Sequence, residues 1–252
     1  MAGNISLNLV TDGLILYLDP VNPKSYISGS TLITNLSNSV NSTITGTYGI
    51  DTSTYGIPVL TLNNTGTTSN GQVQVVTQNL DTLAQTQNFT VMFAARKNFY
   101  GVGGNNIGNS QIFVGASNGY NTGWRITEGS QGTPGAPFTG NFFTNNQIFS
   151  FGYNDINTSL QVTSPVNTGN QMCICAFSVS TSTILGFANG RTNSRSNPLT
   201  YASGTNLSVI SSTQGGAGSW NGFVGFFMIY NRALSLAEIT QNYNTMRNRY
   251  KI

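Results

Sequence analysis

The stretch GFFMIYNRALSLAEITQNYN, residues 225–244, decides how this chain is read. It opens as an unbroken apolar run, Phe226 to Tyr230, breaks at Asn231-Arg232, and continues as Ser235-Leu236-Ala237-Glu238. That tetrad has the form of a capping box. The serine hydroxyl meets the amide of the third helical residue and the glutamate reaches back. Leu236, Ile239 and Tyr243 then fall on one side of a short helix, which Asn242 and Asn244 weaken. A strand running straight into a capped helix is unlike the rest of the chain, where the period is two.

Working outward, Leu14–Leu18 is a short apolar run preceded by Asp12-Gly13 and stopped by Pro20. Phe89, Val91 and Phe93 alternate with Thr90 and Met92, and Cys173, Cys175, Phe177 and Val179 share one face of another run. Residues 111–116, 124–127, 147–153 and 160–163 are further short runs bounded by Gly, Asn, Ser or Pro. Thr183–Ala188 leads to Asn189-Gly190, a strong hairpin signal because both residues accept positive φ. Many short strands without interleaved long helices predict an all-β fold of antiparallel sheets, packed as a sandwich or closed as a barrel. The Gly-rich segments 98–109 and 128–141 read as loops at the ends of a sandwich.

The composition narrows the function classes. Of 252 residues, 38% are hydrophobic, enough to fill a core, so a disordered chain is excluded. Only 7% are charged, against about 25% in an average domain. Net charge is +3 and only Arg247, Arg249 and Lys251 cluster, which speaks against a nucleic-acid partner, since phosphate binding needs several convergent cations. No apolar run reaches the ~18 residues of a membrane helix, so no membrane insertion is expected. The N-terminus lacks the basic start and apolar core of a signal peptide. Cys173 and Cys175 are expected as buried thiols, a bridge between them being strained, in a chain that folds in a reducing cytoplasm or simply does not need disulfides. A surface of Asn, Thr, Ser and Gly repels its copies weakly and tolerates dense packing.

Phe223 to Ser235 resembles the closing signature of concanavalin-A-like, laminin-G-like jelly rolls: a Gly before an apolar strand, Tyr-Asn-Arg, then Ala-Leu-Ser opening a helix. Asp12 to Asp19 with Asn22-Pro23-Lys24-Ser25-Tyr26 is similar to the family's opening, and Ile184 to Gly190 to its mid-domain strand and turn. These landmarks stand in family order. The resemblance implies a two-sheet antiparallel jelly-roll sandwich with a short C-terminal helix, one domain over residues 1–252, with 1–11 as an N-terminal arm and 245–252 as a C-terminal tail. Gly222 and Gly225 are expected to let neighbouring strands approach.

Relatives of such a fold include glucanases, lectins and structural modules, so function must be argued from sites. The seven acids (Asp12, Asp19, Asp51, Asp81, Glu128, Asp155, Glu238) include no i,i+2 or i,i+4 pair, and the chain has no histidine. Paired-carboxylate and triad chemistry are therefore not expected, nor is an enzyme. No cofactor or metal is expected. Asp155, beside Asn154 and Asn157, is the best local calcium candidate and reads more simply as an Asx turn. For sugar binding, Tyr100, Tyr120 and Asn121 in Gly- and Asn-rich loops are the candidates, whereas Trp124 and Trp220 read as core. Single-domain chains of this kind resemble virion proteins of tailed bacteriophages. That resemblance implies a non-enzymatic structural protein of the particle surface, folded in the host cytoplasm. It would decorate a capsid or form part of a fibre or tail. Its expected partners are other virion proteins, further copies of itself and a cell-surface glycan. The alternative is a soluble carbohydrate-binding lectin module.

Overall fold

Sequence runs of two to nine residues, cut by Gly, Asn and Ser, become the strands of a computed structural model. It describes residues 8–46, 48–62, 71–74, 80–97, 110–115, 124–128, 148–153, 160–163, 172–196, 209–210 and 222–252. In chain order the strands are β1 (Leu14–Leu18), β2 (Leu32–Thr34), β3 (Asn41–Gly46), β4 (Tyr48–Asp51), β5 (Val59–Leu62), β6 (Gly71–Gln74), β7 (Phe89–Lys97) and β8 (Ser110–Gly115). They continue as β9 (Trp124–Glu128), β10 (Ile148–Tyr153), β11 (Leu160–Thr163), β12 (Cys173–Val179), β13 (Thr183–Ala188), β14 (Arg191–Ser196), β15 (Val209–Ile210) and β16 (Gly222–Tyr230). Helix α1 is Leu80–Gln85, α2 is Leu236–Met246, and a 3-10 turn, Arg247–Tyr250, follows α2.

The strands form two antiparallel sheets. The back sheet runs β14-β13-β12-β7-β16-β5-β4, with β1 also paired to β16, and the front sheet runs β11-β10-β9-β8-β15-β6-β3-β2. This is the two-sheet sandwich with a short C-terminal helix that the sequence implies. Between the sheets lies a core that includes Leu16, Phe93, Trp124, Phe151, Cys175, Phe177, Phe227 and Ile229. Phe151 packs 5.9 Å from Trp124 and 5.6 Å from Phe177, ring centre to ring centre. Trp124 is thus a core residue, as its sequence context suggests.

The back sheet has a second apolar layer behind it. Tyr17, Met92, Met172, Phe187, Phe226, Met228 and Tyr230 pack there against Ile239, Tyr243, Met246 and Tyr250 of the closing helices. That explains why β12 and β16 are buried at every position and why Phe226 to Tyr230 reads as a continuous apolar run. A β-bulge between Val224 and Phe226 shifts the phase of β16. Val224 and Phe227 enter the inter-sheet core, while Phe226 and Met228 enter the layer under the helix.

Three expectations need correction. Gly225 does not serve a neighbouring strand: a Cβ there would collide with the Tyr250 ring and hydroxyl, so the missing side chain makes room for the last turn of the chain. Leu236 is 44% exposed, whereas Asn242, read as a weak helical residue, is fully buried. Helix α1 and the polar strands β3, β6 and β14 lie outside the runs read from sequence, each of these strands holding at most one apolar residue. Asn189 (φ 42°) and Gly190 (φ 86°) form the expected hairpin turn between β13 and β14.

Candidate functional site

The two outer faces of the sandwich differ in chemistry. On the front sheet, register places Thr43 opposite Gln74, Gln74 opposite Val209, Val209 opposite Val114, Val114 opposite Arg125, and Arg125 opposite Gly152. This row alternates with one that holds the core residues Ile44, Ile210, Ile126 and Phe151, so it belongs to the face turned from the core. Thr45 opposite Gln72, and Thr127 opposite both Gln111 and Ser150, extend it. Six strands at about 4.8 Å give a row about 24 Å across. Its residue types are mainly amides and hydroxyls, with one cation and no acid. Such a set can donate to and accept from a polyhydroxylated chain without desolvating a carboxylate. The sequence signal was present, as polar-apolar-polar triplets: Thr43-Ile44-Thr45, Gln72-Val73-Gln74, Arg125-Ile126-Thr127.

The back face is closed by a polar lattice as well as by packing. Ser235 caps α2, accepting from the Glu238 amide at 3.3 Å while Glu238 Oε2 accepts from the Ser235 amide at 2.8 Å. Arg232 bridges Glu238 (2.7 Å) and Asp12 (2.8 Å) across the Tyr-Asn-Arg corner. Its guanidinium and the Ser235 amide hold the Glu238 carboxyl down at about 2. Buried Asn242 accepts from the Val10 amide (2.8 Å) and donates to the Tyr230 hydroxyl (3.0 Å), which donates to the Val10 carbonyl (3.0 Å). Burial pushes that tyrosine up to about 12. Gln241 and Thr245 hold the Asn8 carbonyl, so residues 8–10 of the segment read as an arm lie along α2. Within 245–252, read as a tail, Met246 and Tyr250 are buried.

The deepest ion pair among the described residues joins the two ends of the chain. Asp19 is fully buried, and its Oδ2 accepts from Arg249 Nη1 and from the Tyr17 hydroxyl, both at 2.7 Å. Its Oδ1 accepts from the Val21 amide at 3.1 Å. Burial opposes the Arg249 charge, but Asp19 outweighs it and raises its pKa. Asp51 is committed too. Partial burial works against its charge, yet hydrogen bonds from Thr54 and Ser53 prevail and hold it at about 2. Each of these carboxylates therefore has a structural role. Cys173 and Cys175 are buried, with their sulfurs 3.2 Å apart. Burial and the neighbouring thiol push Cys175 well up, so it stays protonated. Among the described residues no three His, Cys, Asp or Glu gather as a metal site, and no helix is long and apolar enough to cross a membrane.

Tyr100, Tyr120 and Asn121 lie outside the described residues, as do Asn154, Asp155, Asn157 and Trp220 and most of the two Gly-rich loops. No protein-family model and no curated protein matches the sequence. Solved structures do match. The binding domain of botulinum neurotoxin DC, in complex with SialylT, aligns with a TM-score of 0.59 and 16% identity over 93% of this chain and 51% of that one. Domain 4 of AbnA, a GH43 extracellular arabinanase from Geobacillus stearothermophilus, in complex with arabinotriose, aligns with a TM-score of 0.59 and 16% identity over 91% and 97%. The binding domain of botulinum neurotoxin serotype C1 aligns with a TM-score of 0.63 and 15% identity over 94% and 53%. The chain thus spans about half the length of these neurotoxin domains and nearly all of the arabinanase domain. At such identities the likeness is one of fold, and these relatives are β-sandwich domains like this one.

Proposed function

We propose that this chain is a non-enzymatic glycan-binding module that works in several copies on the surface of a viral particle. The observation that carries the glycan reading is the front-sheet row of Gln, Thr and Ser around Arg125. The arabinanase domain supports it, because this chain matches nearly the whole of a domain that is in complex with arabinotriose. The described carboxylates, tied up in caps, turns and an ion pair, favour binding over hydrolysis. Tyr100, Tyr120 and Asn121 remain loop candidates for the same ligand.

The particle reading rests on the resemblance to phage virion domains, and a chain with only 7% charged residues, which repels its neighbours weakly at high local density, is compatible with it. A glycan array probed with purified protein, with calcium and with a chelator, tests the first part. Reproducible binding that falls on Gln74→Ala or Thr43→Ala supports it, and silence in both conditions removes it. Immunogold labelling of purified virions tests the second part; unlabelled particles would remove it.

A further inference from the structure

A cavity of about 370 Å³ opens beside β1, lined by Leu9, Thr11, Leu14, Tyr17, Asn22, Leu36 and Ser37. It adjoins the back-sheet layer, since Tyr17 belongs to that layer and Leu9, Leu14 and Leu36 pack against it. It is therefore separate from the front-sheet row. We propose that this cavity binds a single uncharged pyranose ring.

Three features carry the assignment. First, the volume falls within the ~300–1,000 Å³ of small-ligand pockets. Second, the apolar lining is preorganised. The Tyr17 hydroxyl is fixed on Asp19, which Arg249 holds, and the Tyr17 amide donates to Asn35 Oδ1 at 2.8 Å. Leu36 is set by its amide on the Tyr17 carbonyl at 2.8 Å. Third, the polar lining has spare capacity of the right kind. Asn22 Oδ1 accepts from the Lys24 amide at 3.0 Å, which leaves its NH2 protons to donate. Ser37 spends its one proton on the Ile15 carbonyl or on Asn35, which leaves oxygen lone pairs to accept. The Thr11 hydroxyl has no partner among the described residues and can do both. An apolar wall with neutral donors and acceptors at its edge suits a sugar ring, which has an apolar face and hydroxyls at its rim. No charged side chain is among the described residues that line the cavity, so an anionic sugar gains nothing from them.

The test is a ¹H–¹⁵N correlation titration of the full chain with the methyl glycosides of glucose, galactose, mannose and N-acetylglucosamine. The expected result is a saturable shift of the Thr11, Asn22 and Ser37 amides with at least one of them. Thr11→Val and Asn22→Ala should each weaken that response about tenfold, the loss of one hydrogen bond to ligand. Leu36→Trp, which fills the cavity, should abolish it while the spectrum stays dispersed. If these amides stay fixed with all four glycosides, or move equally in Leu36→Trp, the proposal is overturned. A response confined to β3, β6 and β9 would also overturn it and leave the front-sheet reading standing.

Discussion

The two outer faces of one sandwich have opposite fates. The back face is apolar and sealed by α2, the 3-10 turn and residues 8–10. By register, the outer row of the front face holds mainly Gln, Thr and Ser, with Arg125 and two valines among them. The contrast teaches that a strand's sequence reports how many of its faces are buried. Phe226 to Tyr230 reads as unbroken apolar because both sides are covered, whereas Thr43-Ile44-Thr45 alternates because one side is not. Stability should therefore concentrate behind the back sheet, and recognition on the front.

Substitutions can break this comparison. The largest effect is expected at the buried ion pair. Asp19→Ala leaves Arg249 charged and unpaired and should cost about 3–5 kcal/mol, read as a shift of the urea midpoint. Gly225→Ala comes next, because its methyl collides with Tyr250; overpacking of this kind costs about 1–3 kcal/mol. Adding Tyr250→Ala should remove the penalty of the alanine at 225, so the cycle would be strongly non-additive; additive losses would refute the packing account. Ser235→Ala should cost about 1 kcal/mol by uncapping α2.

Acid gives a related test. Glu238 and Asp51 both sit at about 2 when folded, against ordinary values of 4.5 and 3.8. Depressed carboxylates stabilise the fold fully above the unfolded values, and that contribution drains away as pH falls from about 4.5 towards 2. Thermal melts across that window should show falling stability, with a shallower slope in Glu238→Gln. The smallest effect is expected on the front face. Thr43→Ala and Gln74→Ala should move stability by no more than about 0.5 kcal/mol, yet lower glycan binding. A large stability loss there would end the division of labour between the faces.

Part of the candidate site was legible early and part was not. The polar triplets of β3, β6 and β9 stand in the sequence, but they are spread from residue 43 to residue 127, and only strand order aligns them. The order β9-β8-β15-β6-β3 brings Val209 of β15 between Val114 of β8 and Gln74 of β6, which no local pattern announces. The loop candidates Tyr100, Tyr120 and Asn121 came from composition alone, which marks a loop but gives no geometry.

The sequence by itself determined what is local. Period-two runs set the all-β class, Asn189-Gly190 set a hairpin, and Ser235 with Glu238 set the start of α2, because each signal is read by neighbours within a few residues. Tertiary structure decided what depends on distant partners. Asp19 finds Arg249 across 230 positions. Asn242, poor for a helix, becomes the bracket between Val10 and Tyr230. Gly225 is a notch only because Tyr250 arrives to fill it. Burial gives each of these residues its energy, and burial exists only once the sheets and helices have packed.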